Sequence, residues 1–106
     1  MLTANIFENI KSNNPDELFE DIISNPKIKL ERIVSNGQSS PEGYWYDQEK
    51  DEWVILLKGS AGIKFESDEK IVELKQGDYL LIPAHCKHRV EWTDKSEATV
   101  WLALHF

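Results

Sequence analysis

The stretch Gly77–Trp92, GDYLLIPAHCKHRVEW, decides how this chain is read. Gly77 and Asp78 are turn residues, and Tyr79–Ile82 is a short apolar run of the length and composition of a buried strand. Pro83 closes the run because it cannot donate to a sheet ladder. His85 and His88 follow three residues apart, and His88 opens HRVEW, which alternates polar and apolar residues as a half-buried strand does. An imidazole at a strand start after a proline-marked turn can face a cavity, as a metal ligand or a substrate contact, or be a hydrogen-bonded structural histidine.

The same strand–turn rhythm extends outward in both directions. KIKLERIV (Lys27–Val34) alternates apolar and charged residues, and NGQSSPEG is a turn cluster. YWYDQ is short and aromatic, and EWVILLKG (Glu52–Gly59) is almost continuously apolar. SAGIKFES, the charged tip SDEK, KIVEL and the turn KQGD lead to Tyr79. After HRVEW, the turn TDKSE leads into ATVWLALHF. About eight short strands with turns between them predict an all-β sandwich or barrel. Ahead of Lys27 lies one helical signal. In NNPDELFEDIISN, Asn14 suits an N-cap, Pro15 the first helical position, and Asp16 and Glu17 the positive end of the dipole. Leu18, Phe19, Ile22 and Ile23 give an apolar stripe, and Asn25-Pro26 stops it. Residues 1–106 thus read as one domain, with 1–26 a helical cap and 27–106 a β-barrel.

Composition narrows the function classes. The 106 residues are 41% hydrophobic and include four Trp, four Phe and three Tyr, enough apolar material for one core. The net charge is −7, and Lys and Arg are scattered, so the basic stripe that displaces phosphate counterions is missing. That argues against nucleic acid, and equally against an anionic membrane surface. Cys86 is the only cysteine, which excludes an internal disulfide and a Cys-based zinc cluster. The start MLTANIFENIKSNN lacks a basic n-region followed by an apolar h-region, and no stretch approaches a membrane span, so a cytoplasmic, soluble protein is expected.

Two spacings carry a family resemblance. Glu52, the six residues WVILLK and Gly59 fit the second half of the first cupin motif, and Gly77, the five residues DYLLI, Pro83 and His88 fit the second motif. The region Gly43–Val90 therefore resembles a cupin, close to small single-domain members with a WYDQ…DEW first motif and a PAH…HRVEW second motif. The resemblance implies a jelly-roll barrel (a double-stranded β-helix), here with a short N-terminal helix. It also implies a divalent metal held by three His and one Glu. The chain departs from that set. Tyr46 and Gln48 stand where the first motif has His-x-His, His85 stands where the second has Gly, and Trp92 replaces its final Asn. By carry-over the metal candidates are Glu52 and His88, with Gln48 offering a carbonyl oxygen and His85 a replacement nitrogen. Zn, Fe, Mn and Ni all suit such ligands.

Each candidate has a plainer counterpart. Glu52 could be an exposed strand-end carboxylate beside Asp51, His85 a surface loop residue, and Asp47 and Gln48 bend residues bonding the backbone. Tyr46 and Trp53 are candidates for the substrate pocket, although aromatics such as these, Tyr44 and Trp45 also serve as core. Cys86 reads as a small hydrophobe. His105 looks toward the same mouth if it shares a face with Trp101 and Ala103, and is otherwise a fraying terminal residue.

The functions that follow are a small cupin whose pocket holds a divalent metal and a small-molecule ligand, with metal-dependent chemistry open, or a metal-free sugar-binding or sensor module. A homodimer is expected, paired through a sheet edge that Lys27–Val34 could supply.

Overall fold

The computed structural model describes residues 3–11 and 14–106. Eight strands run in order: β1 (Leu18–Ser24), β2 (Lys29–Ser35), β3 (Glu52–Lys58), β4 (Ser60–Phe65), β5 (Ile71–Lys75), β6 (Tyr79–Ile82), β7 (His88–Thr93) and β8 (Thr99–His105). All pairings are antiparallel, in a five-stranded sheet ordered β1-β2-β8-β3-β6 and a three-stranded sheet ordered β5-β4-β7. The inner faces meet over Val54, Leu56, Ala61, Ile63, Leu74, Ile82, Trp101 and Ala103, which form the core of a jelly-roll barrel.

The alternation of β3 explains the inward set. Glu52, Val54 and Leu56 are buried, whereas Trp53, Ile55 and Leu57 turn to the other side of the sheet and stay partly exposed. The β8 register places His105 opposite Glu52, Ala103 opposite Val54 and Trp101 opposite Leu56, so the inward face continues across the strand pair.

The expected N-terminal helix is replaced by strand β1, and no helix occurs among the described residues. Its capping signal is real but local, since Asn14 Oδ1 accepts the Asp16 N–H at 3.0 Å without a helix following. Leu18–Ser24 pairs with β2 instead, and Arg32 Nη2, donating to both Glu20 carboxylate oxygens at 2.9 and 2.8 Å, locks that register. The apparent stop Asn25-Pro26 is a hairpin turn, with Asn25 Oδ1 accepting the N–H groups of Lys27 and Ile28. The seven residues LFEDIIS, with one Phe and two Ile, are too short a run to hold a helix alone, and cross-strand packing overrides the signal. Two further expectations change with this hairpin. YWYDQ contributes only an isolated bridge, between Tyr46 and His88. β2 lies between β1 and β8, so Lys27–Val34 is not a sheet edge.

Arg32 is buried although it sits on the outer face, because it also donates to the carbonyls of Ile6 and Glu8 and so pins the N-terminal segment over the sheet. The two motif glycines meet different demands. Gly59 (φ +87°) turns β3 into β4 against Thr99, whose Cα would lie 2.7 Å from an added Cβ. Gly77 (φ +91°) turns in open space, with nothing near an added Cβ. Gly77→Ala should therefore cost only the left-handed backbone penalty, about 1–2 kcal/mol. Gly59→Ala adds a clash with backbone and should cost about 3 kcal/mol or more. Urea unfolding of both variants measures the difference, and equal losses would contradict it.

Candidate functional site

The loop before β3 runs antiparallel to the loop before β7. Tyr46 and His88 exchange backbone hydrogen bonds (2.7 and 3.1 Å), and the His85 N–H donates to the Gln48 carbonyl at 2.8 Å. Nearby, Asp51 Oδ1 accepts the Ala84 N–H at 2.8 Å. These bonds bring residues some forty positions apart to one end of the barrel. There Tyr46, Gln48, Glu52 and His88 border a cavity of about 70 Å³ with His105, Glu31, Glu17 and an apolar wall that includes Phe19, Ile33, Val54, Ile63, Ile82 and Trp101. That volume holds a handful of waters or a molecule of a few heavy atoms.

Glu52 and His88 are both buried, and His88 Nε2 lies 3.7 Å from Glu52 Oε1. His88 Nδ1 lies 2.9 Å from the Cys86 carbonyl. A carbonyl only accepts, so Nδ1 carries the proton, and in the neutral ring Nε2 presents its lone pair to the cavity. The Tyr46 ring stacks on the imidazole at 5.4 Å and fixes its plane. Burial pushes the Glu52 carboxyl above its ordinary 4.5, opposed by the nearby His105 and His88 and by a hydrogen bond from Gln48. Burial also raises the Tyr46 phenol, which stays protonated. A carboxyl that keeps its proton more readily than usual, facing an imidazole across a small cavity, can exchange protons with a bound molecule.

Beside this couple lies a second one. His105 Nε2 is 3.0 Å from Glu31 Oε1, and Lys29 Nζ is 3.4 Å from Glu31 Oε2. The hydrogen bond to Glu31 raises the His105 imidazole above its ordinary 6.5, and the same bond holds Glu31 below its ordinary 4.5. Glu31 is the site residue that strand alternation conceals. In KLERIVS the charged residues Lys29 and Glu31 sit on the strand positions paired with inward-facing His105 and Ala103, while Leu30 and Val34 take the outer face. A carboxylate placed opposite Ala103 can be found only once the β2–β8 register is known.

Two candidates lie elsewhere. His85 does not join the cavity: its side chain is 66% exposed and Nδ1 pairs with Asp47 at 2.8 Å. Its backbone lies in the left-handed region (φ +60°), which a histidine tolerates better than most non-glycine residues. Trp53 does not line the pocket either, because β3 alternation puts its ring on the outer face, 5.6 Å from Tyr79.

Among the described residues no three His, Cys, Asp or Glu side chains converge as a metal cage requires. Glu52 and His88 offer two strong donors, Gln48 is an amide, and the neighbouring imidazole of His105 is held by Glu31. The donor set therefore falls short of three His and one Glu.

The signs of the second couple set a pH window. The Glu31 contribution is present above pH 4.5 and is lost as pH falls through its lowered value. The His105 contribution is present below pH 6.5 and is lost as pH rises through its raised value. Glu31→Gln should therefore cost about 3 kcal/mol between those limits, where it leaves a buried charge unpaired. The loss should shrink at alkaline pH, where His105 gives up its proton in the unsubstituted protein as well. Denaturant unfolding across pH, with NMR titration of the His105 ring, measures both; a pH-independent loss would contradict the pairing.

A cupin-domain family model matches residues 31–105. A solved structure of a candidate mannose-6-phosphate isomerase from Ralstonia eutropha JMP134 is 48% identical and superposes with a TM-score of 0.96, covering 99% of this chain and 97% of that one. A cupin superfamily protein from Desulfitobacterium hafniense DCB-2 is 20% identical with a TM-score of 0.75, covering 92% and 83%. Hydroxypropylphosphonic acid epoxidase from S. wedmorenis, at 12% identity and a TM-score of 0.71, covers 85% and 51% and shares the fold. No curated protein sequence matches the chain. With both motif spacings present, the barrel observed and residues 31–105 of the 106 matched by the family model, the chain belongs to the cupin family.

Proposed function

We propose that the barrel cavity binds a small polar molecule and exchanges a proton with it through Glu52 and His88. The observation that carries this is the pair itself: two buried ionisable groups 3.7 Å apart, facing a cavity rather than being consumed by each other in a short hydrogen bond. Buried ionisable groups are costly unless paired, and pairs left facing a cavity are found where function needs them. The Ralstonia relative is named for an aldose–ketose isomerisation, a reaction that moves protons between adjacent carbons, and this supports proton transfer on a small hydroxycarbonyl compound.

A divalent ion is the second reading. What favours it is the orientation of His88, whose Nδ1 is tied to the Cys86 carbonyl so that Nε2 faces Glu52 and the cavity. Glu52, His88 and Gln48 would hold Zn, Fe, Mn or Ni, which would supply Lewis acidity at the cavity. With two strong donors such an ion is held weakly.

One set of measurements separates these readings. NMR titration with dihydroxyacetone should give saturable shifts of the His88 and His105 ring signals. His88→Ala should weaken that binding by at least about tenfold, the loss expected for a direct polar contact, while His85→Gly leaves it unchanged. Deuterium incorporation from D₂O into bound dihydroxyacetone reports proton exchange; binding without incorporation would make the pocket a sensor or binding module. Stoichiometric metal in the purified protein, lost in His88→Ala, would put the metal reading first. Absence of saturable shifts for dihydroxyacetone would overturn the hydroxycarbonyl reading.

We also propose a homodimer through the outer face of β3 and β6. Tyr79 and Leu81 are 65% and 55% exposed beside Trp53, and a patch of this kind on a chain of net charge −7 is a surface awaiting a partner. A self-complementary apolar patch suits a two-fold pairing of identical chains. Sedimentation should give a dimer that Tyr79→Glu converts to monomer with its melting temperature little changed; a monomeric mass for the unsubstituted protein would refute it.

A further inference from the structure

The charge around the cavity says what kind of molecule it accepts. Among the described residues, three carboxyl side chains border it, Glu17, Glu31 and Glu52, and neither Lys nor Arg does. The cationic groups nearby are already engaged. His105 is on Glu31, and Lys29 lies between Glu31 and Asp21. Arg89, at the start of β7, is bound to Glu91 and to the carbonyls of Pro41 and Ser40. His88 has one nitrogen on the Cys86 carbonyl and the other facing Glu52. A phosphate or carboxylate group would need a guanidinium, an ammonium or the N-terminus of a helix. Here it would meet the imidazoles of His88 and His105, each already facing a carboxyl, and no helix lies among the described residues.

From this arrangement we infer that the cavity selects small neutral or cationic hydroxy and amino compounds and turns away phosphate esters and carboxylates. The inference rests on the cavity being a small-molecule site, as proposed above, and sets its ligand class. The apolar wall provided by Phe19, Val54 and Trp101 receives a short hydrocarbon face. Glu52 and Gln48 accept hydrogen bonds from hydroxyl or amino groups, and His88 meets them from the opposite side. The volume of about 70 Å³ limits the enclosed part to a three- or four-carbon unit. The net charge of −7 acts in the same direction at longer range, drawing cations in and slowing the approach of anions. The phosphate in the name of the Ralstonia relative is thus not part of what this cavity recognises.

Three probes on one carbon skeleton test this: glycerol, 3-aminopropane-1,2-diol and glycerol 3-phosphate, each titrated into the full chain while the His88 and His105 ring signals are followed. Glycerol and the amine should give saturable shifts, and glycerol 3-phosphate should bind at least about tenfold more weakly than either, as expected for an anion set beside a carboxylate. Glu52→Gln should narrow that gap by removing one of the repelling groups. Glycerol 3-phosphate binding as tightly as glycerol would overturn the inference while leaving the cavity a small-molecule site. Binding of dihydroxyacetone with none of the three probes would overturn the simple-polyol and amino part of the ligand class while keeping the exclusion of the phosphate ester. Failure of all four compounds would overturn the pocket reading itself.

Discussion

The backbone bridge between Tyr46 and His88 is the interaction on which the rest of the site depends. The two loops belong to different halves of the chain and lead into strands of different sheets, β3 in the five-stranded sheet and β7 in the three-stranded one. Two mutual hydrogen bonds and the bond from His85 to the Gln48 carbonyl fasten them at one end of the barrel. Each bond satisfies a backbone group that would otherwise be stranded near the interior. With the loops fastened, the side chains that open the two strands, Glu52 and His88, have no choice but to face each other. Proximity here is a consequence of backbone pairing. It does not require the side chains to attract one another.

Fastening the loops creates an electrostatic problem that the barrel solves with a second pair. Burial disfavours the ionised form of Glu52, and among the described residues no Lys or Arg borders the cavity to offset it. The relief comes from imidazole. His105, paired in register with Glu52 across β3 and β8, is held in its cationic form by Glu31, and its charge then acts on Glu52. Glu31 thus stabilises an imidazolium that eases the burial of another carboxylate. The cost of placing Glu31 inside is offset in turn by Lys29, whose ammonium reaches it from the strand end. Along the chain Lys29–Glu31–His105–Glu52–His88, each carboxyl has a basic side chain beside it.

Much of this was legible from residue types and spacing. The strand rhythm from Lys27 onward, the turn glycines Gly59 and Gly77, and the placement of Glu52 and His88 at strand starts follow from alternation and turn chemistry alone. The parts that were not legible share a cause: they depend on which strand lies beside which. Leu18–Ser24 has a capping residue, a proline and an apolar stripe suited to a helix, but β2 offers it a ladder and an arginine, and the ladder wins. Glu31 looked like the solvent face of an alternating strand because a barrel strand covered on both sides has no solvent face to mark. Trp53 was misplaced by the same parity that placed Glu52 correctly, since adjacent strand residues point to opposite sides.

His85 shows how far motif substitution can be reasoned from the backbone. A histidine in place of the motif glycine suggests a new ligand, because the residue type is the one a metal prefers. The turn demands positive φ, whatever residue occupies it, and the structure keeps that geometry at +60°. The imidazole lies on the exposed side of the turn, where it pairs with Asp47 of the facing loop. Asn, Asp and His tolerate this conformation better than other non-glycine residues, which is reason enough for a histidine to be accepted there. The substitution is permitted by the backbone and adds nothing to the cavity. The changes that do alter the cavity are Tyr46 and Gln48, which sit where the fold family's first motif carries nitrogen donors. A phenol held protonated by burial and a neutral amide leave Glu52 and His88 as the only strong donors at the motif positions.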